Sequence, residues 1–197
     1  MSLDQPTGRQ PDHPVASQFP ARWSPRAFTD RSLAESEVMS LLEAARWAPS
    51  ASNHQPWRLV WARRGEAAFD AIHSSLTGNN LIWAGKAAVL MVVASQDSVT
   101  NRAGEEVANR TAAFDTGAAW MSLALQARTM GLAAHAMGGF DNARLASEVG
   151  LPAGHTLHCV VAVGEQGSAE ALPDDLRARE KPSGRKPLDE IARHGHF

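Results

Sequence analysis

The sequence predicts one domain of α+β or α/β class, and three observations carry that prediction. Two short apolar runs, AAVLMVVAS at 87–95 and the stretch 156–165, have strand length and many β-branched residues, so they read as buried strands. Between them, residues 105–130 are helical in composition. At 197 residues and 44% apolar content the chain suffices for one substantial core and falls short of two ordinary domains.

The elements follow in order. Residues 1–20 carry Pro6, Pro11, Pro14 and Pro20 among polar residues without an apolar period, which predicts a flexible arm or extended lead-in; residues 21–197 form the domain. In ARWSPRAF the side chains of Arg22, Ser24 and Arg26 would project from one face of an extended segment. Two guanidiniums beside a hydroxyl suit a phosphate, although solvated surface arginines would leave the same pattern. Ser32 and Glu35 read as a capping box, and Val38, Leu41, Leu42, Ala45 and Ala48 recur at helical spacing until Pro49 stops the helix. Pro56 keeps another helix from starting, so Ser50, Ala51, Ser52, Asn53, His54 and Gln55 form a non-helical polar loop. Its uncharged donors and acceptors suit the edge of a planar heterocycle, and they serve equally to satisfy a turn.

Trp57 to Ala62 reads as a strand, Glu66 to Leu76 as a short helix, and Gly78-Asn79-Asn80 as its break. The helix ending at Gly131 carries TGAAWMSLALQARTM, apolar nearly all round, which belongs in the centre of a molecule or in a subunit interface. LAAHAM is a short strand, and Gly138 and Gly139 after it permit close approach of a ligand. Asp141 caps a helix that ends at Gly150. In the polar tail, Arg185 and Lys186 beside a glycine and a proline form a second candidate anion grip. The order of strands across the sheet is not readable from the pattern.

Composition narrows the function. A formal charge of -2 provides no field for nucleic acid or an anionic membrane, so a bound anion must be held locally. The single Cys159, inside LHCVVAV, reads as a buried small hydrophobe. No apolar run reaches membrane-spanning length and the first residues lack a signal-peptide core, so a cytoplasmic protein is expected. The eight histidines are scattered without a metal-ligand spacing, so no metal site is expected. No Gly-x-Ser-x-Gly elbow and no Gly-x-Gly-x-x-Gly phosphate loop are present.

What remains is two basic grips, an uncharged polar loop and a glycine pair, a set that fits a phosphate-bearing planar cofactor. Here the chain closely resembles the nitroreductase family of FMN-dependent oxidoreductases. The matching pieces are RWSPRAF, LLEAARWAPSASNHQPWRLV, NNLIWAGKAAVLMVVAS, DTGAAWMSLALQARTMGL, MGGFD and SGRKPLDEI, which span most of Arg22 to Ile191. The resemblance implies an α+β fold with a central mixed or antiparallel sheet flanked by helices, in an intertwined homodimer with two FMN sites built from both chains. It implies that Arg22, Ser24, Arg185 and Lys186 hold the phosphate and that Arg26 faces the pyrimidine end of the ring. Pro49, Ser50, Ala51 and Asn53 of the other subunit, with Gln55 near them, would line the ring and ribityl chain. Asn80 would bond the pyrimidine edge, and Gly138 and Gly139 would lie along the ring, with a backbone N–H aimed at N5.

The implied activity takes hydride from NADH or NADPH and passes it to a nitroaromatic, quinone or other electron-poor acceptor in ping-pong order, with no side chain needed as proton donor. A flavin-binding storage or sensing module, or a flavin-dependent dehydrogenase or dehalogenase, would use the same scaffold. The chain departs from the family pattern in two places. Trp83 stands where many members carry a basic residue, and the long helical insertions that cover the active site in some members are absent.

Overall fold

The frame that positions everything else is a four-stranded sheet of β1 (Trp57–Arg63), β2 (Val89–Gln96), β5 (Ala133–Met137) and β6 (His155–Gly164). In this computed structural model, which describes residues 7–196, the strands run in the order β1-β2-β6-β5, and every neighbouring pair is antiparallel. A β-bulge between Val93 and Ala94 sets Val93 opposite Cys159 and Ala94 opposite Leu157, so His158 is the extra residue in β6.

The unbroken apolar run of β2 has a direct cause. Its side chains alternate between two cores, one on each face of the sheet, and both must be apolar. Val89, Met91 and Val93 face the core closed by α2 (Glu35–Arg46) and by α5 (Ala112–Thr129). Leu90 and Val92 face the other core, where Phe69 and Ile72 of α3 (Ala67–Ser74) and Leu145 of α6 (Asn142–Glu148) pack. The remaining helices are short turns: α1 (Gln18–Ala21), α4 (Asn80–Trp83), α7 (Asp174–Arg177) and α8 (Leu188–Ile191).

Two expectations are corrected. Helix α2 does not begin with a Ser32–Glu35 box. Its N-cap is Ala34, which offers no side-chain oxygen, and Glu37 reaches back to accept from the Ala34 N–H at 3.0 Å. The sequence holds a carboxylate three residues on from either starting point, and burial of Val38 and Leu41 selects the later frame. The second correction lies in 105–130, which is not helical throughout. Residues 106–108 form β4 (Glu106–Ala108), paired with β3 (Ser98–Thr100), and α5 starts only at Ala112. Asn101 makes that hairpin: its Oδ1 accepts from the N–H groups of Ala103 and Glu105 at 2.9 and 3.0 Å.

Two local readings, at Asp141 and Cys159, hold. Asp141 caps α6 by accepting from the Arg144 N–H at 3.0 Å. Cys159 is partly buried against the core, and that burial pushes its thiol up to about 11, so it stays protonated and inert at neutral pH. Among the described residues no helix is long and apolar enough to cross a membrane, and no cluster could hold a metal ion.

Candidate functional site

Past α1 the chain runs extended and lies beside the end of β6, bridged at Phe28 to Gln166. The Thr29 N–H donates to the Glu165 carbonyl and the Gly167 N–H to the Ala27 carbonyl, each at 2.9 Å. Gly167 is required for this approach, because a Cβ there would lie 2.8 Å from the Phe28 carbonyl carbon. The segment carrying Arg22, Ser24 and Arg26 is thus fixed at the margin of the sheet.

The three side chains then divide. Arg22 donates to Ser24 Oγ at 3.3 Å, as a shared face predicts. Arg26 instead turns to Glu180, whose Oε2 lies 3.4 Å from Nη1 and whose side chain is only 3% exposed. Glu180 also accepts, on Oε1, from the backbone N–H groups of Arg26 (2.6 Å) and Ala27 (2.9 Å). A buried carboxylate from the tail therefore clamps the segment and compensates the charge expected to face a ligand.

Arg22 belongs to a different group. Partial burial, and after it the charges of Arg185 and Arg9, lower its pKa; partial burial and then Arg185 do the same to Arg9. Like charges repel, and among the described residues none of the three guanidiniums has a carboxylate within ion-pair distance. Among the described residues Arg185 donates only to nearby backbone and Ser183, at 2.8 Å to the Gly184 carbonyl. Three positive charges brought together, with no carboxylate among the described residues to compensate them, could hold an anion. Lys186 stands apart, exposed and 3.5 Å from Glu190.

A second cluster forms where the loop before α4 meets the loop after β5. Leu76 bridges Phe140, Thr77 N–H donates to the Gly139 carbonyl at 3.0 Å, and Asn80 Nδ2 donates to the same carbonyl at 3.1 Å. A Cβ on Gly139 would meet Asn80 Nδ2 at 2.9 Å and displace that side chain from its bond to the Gly139 carbonyl, whereas at Gly138 it would meet open space. Asn80 Nδ2 is thus committed to the protein, and the amide carries a second polar atom, Oδ1, that can only accept. Trp83, next on α4, is buried against Phe28 and His135, with ring centroids 6.2 and 4.6 Å apart. It packs in the core and does not face the loops.

The polar loop after α2 is held from another side. Pro49 is exposed, Ala51–Asn53 form one 3-10 turn broken at Ser52, and Ser52, Asn53 and Gln55 all have positive φ, at 49°, 57° and 49°. Three non-glycine residues in left-handed conformation within four positions are a local strain that the surroundings must hold. Asp115, buried in α5, accepts from the Ala51 N–H at 3.2 Å and from Thr111 Oγ1 at 2.9 Å. Ser50 Oγ accepts from the Gln55 N–H at 3.0 Å, and Gln55 Nε2 donates to the Asn53 carbonyl. Ala51, Asn53, His54 and Gln55 are exposed, so their outward faces remain available. The loop's hydrogen bonds go to α5, to itself and to Arg58 of β1, whose Nη1 donates to the Gln55 carbonyl at 3.1 Å; those of the arginine group go to 20–24 and to the tail.

Sequence reasoning missed Arg9 and Glu180. Arg9 lay in a proline-rich stretch with no period, and Glu180 reaches a partner 154 residues away, so neither left a local signal.

Comparison with known proteins adds the family level. Residues 20–165 match the model of the Nitroreductase family. An uncharacterized 15.4 kDa protein of Mycolicibacterium smegmatis is 31% identical over 148 residues, 71% of this chain and 95% of that one. A solved structure described as an oxidoreductase containing FMN superposes with a TM-score of 0.94 at 42% identity, covering 97% of this chain and 96% of that one. An FMN-dependent nitroreductase of Clostridium difficile R20291 shares the fold, with a TM-score of 0.67 at 16% identity over 91% and 98% of the two chains.

Proposed function

The chain belongs to the nitroreductase family, and from that premise we propose that it is an FMN-dependent oxidoreductase working as a homodimer. The observation that carries the reading is the uncompensated group of Arg22 and Arg185, a seat for a phosphate dianion. Likeness at 42% identity to an oxidoreductase containing FMN supports FMN as the group that brings that phosphate. When bound, FMN would supply two-electron chemistry, taking hydride from NADH or NADPH and passing it to a nitroaromatic, quinone or other electron-poor acceptor in ping-pong order.

The chain's own residues hold and orient. Arg22, Ser24 and Arg185 grip the phosphate, with Lys186 at the rim. Asn80 would hold the imide edge of the ring, and the open backbone at Gly138 would let the ring lie close, with Gly139 fixing the loop's path. Arg26, paired with Glu180 at 3.4 Å, would stand toward the pyrimidine end. Pro49, Ser50, Ala51, Asn53 and Gln55 act on the flavin of the other subunit, because they sit on a separate anchor and turn their polar faces outward. No side chain is assigned as a proton donor.

The test is the absorbance spectrum of the purified protein. A flavin spectrum that bleaches with NADH or NADPH under argon is expected. A yellow protein that bleaches with neither overturns the enzymatic reading, and a chain that takes up no FMN overturns the whole.

The dimer has its own support. Phe114 of α5 is 82% exposed and Trp47 74%, and Met39, Ala44, Trp47 and Gln126 line an open groove of about 550 Å³ between α2 and α5. Such apolar exposure calls for cover. Sedimentation at micromolar concentration is expected to give twice the 21.1 kDa of the chain. The interface should exceed roughly 2,000 Å², the size at which obligate interfaces begin. A monomer refutes it.

A further inference from the structure

The N-terminal arm carries one residue whose bonding is out of keeping with a loose lead-in. Arg9 Nε donates to the Ser183 carbonyl at 2.8 Å, and Nη1 donates to the Arg22 carbonyl at 2.7 Å and to the Pro20 carbonyl at 3.3 Å. One planar fork thus joins three separate stretches of chain: the arm, the segment after α1, and the tail. A guanidinium suits this task because its donors diverge in a fixed plane; an ammonium could not span the same acceptors. Thr7 Oγ1 adds a bond to the Pro20 carbonyl at 3.0 Å and seats the arm on the same turn.

The place where these stretches meet matters more than the bonds themselves. The acceptor carbonyls belong to Arg22 and to Ser183, and Ser183 in turn receives Arg185, whose Nη1 lies 3.4 Å from its Oγ. Arg9 therefore holds the two anion-binding arginines in register while adding a third positive charge beside them. Among the described residues no carboxylate joins the group, so holding three cations together is favoured by a multiply charged anion between them.

We propose that Arg9 is a positioning residue of the phosphate site, fastening the tail segment 183–185 against Arg22 so that the site closes on a phosphomonoester. This rests on the reading of the site as one for FMN, and it adds that the arm is part of the binding apparatus. Arg9 reaches the ligand through Arg22, Ser183 and Arg185, and so acts on the phosphate end alone.

That restriction supplies the test. Riboflavin carries the same ring and ribityl chain without the phosphate, so binding of FMN and of riboflavin is compared for wild type and Arg9→Ala by quenching of flavin fluorescence. Loss of one charged contact and of the register it keeps is expected to weaken FMN about tenfold, with riboflavin changed by less than about twofold. Inorganic phosphate should compete with FMN in the wild type and compete more weakly in the variant. Unchanged FMN affinity, or equal weakening of both flavins, overturns the role of Arg9, the second outcome marking a general effect on the fold. A wild-type protein that binds riboflavin as tightly as FMN overturns the phosphate reading itself, and the proposal with it.

Discussion

Glu180→Ala is expected to destabilise the protein by about 3 kcal/mol and to lower Tm by roughly 6–12 °C. The carboxylate is 3% exposed and accepts three hydrogen bonds, two of them from backbone N–H groups at 2.6 and 2.9 Å. Leaving a buried donor unsatisfied costs on the order of 1–3 kcal/mol, and removing one partner of a buried ion pair about 3–5. Arg26 is 24% exposed and water can reach its guanidinium, so the value belongs at the lower end of that range. Glu180→Gln keeps an oxygen acceptor and loses the charge, and should fall between the two. Thermal unfolding of the flavin-free protein measures the difference. A Tm for Glu180→Ala within about 2 °C of wild type, less than 1 kcal/mol for a chain of this size, would mean that the clamp on 26–27 is replaceable by solvent.

That residue also marks where a sequence stops being informative. The buried strand β2 was legible because both cores it touches are apolar, so its alternation collapses into a continuous run whose shortness and β-branched content mark a strand. Helix α6 was legible because its cap lies three residues from the N–H it satisfies. Local rules misjudged residues 105–110, where helix-forming composition yields to a hairpin fixed by a single asparagine side chain. In the site, Arg22 with Ser24 and a polar loop between Pro49 and Pro56 could be read from neighbours in the chain, but the loop's 3-10 turn and left-handed residues could not. Arg9 with Ser183, 174 residues apart, and Arg26 with Glu180, 154 apart, could not, because such pairs are set by how the tail folds back across the margin of the sheet.

Replacing either Arg22 or Arg185, the arginines proposed to grip the phosphate, should separate binding from folding. Arg185 is exposed and makes hydrogen bonds only to Ser183 and Gly184, so Arg185→Ala removes charge without uncovering a core. Arg22 is tied into the clasp with Arg9 through its carbonyl, which any residue supplies, and its side chain gives up one bond to Ser24. Both variants should therefore unfold like wild type. Each loses a charge-assisted bond to phosphate worth about 1.5–3 kcal/mol, or roughly ten- to a hundredfold in FMN affinity. Lys186→Ala should lose less, since Lys186 already faces Glu190 at 3.5 Å. Raising the salt concentration ought to narrow the gap between wild type and Arg185→Ala, because an exposed charge is screened. Equilibrium titration with FMN and flavin retention after gel filtration are the measurements. If Arg22→Ala and Arg185→Ala both keep flavin as wild type does, the cluster is not the phosphate seat.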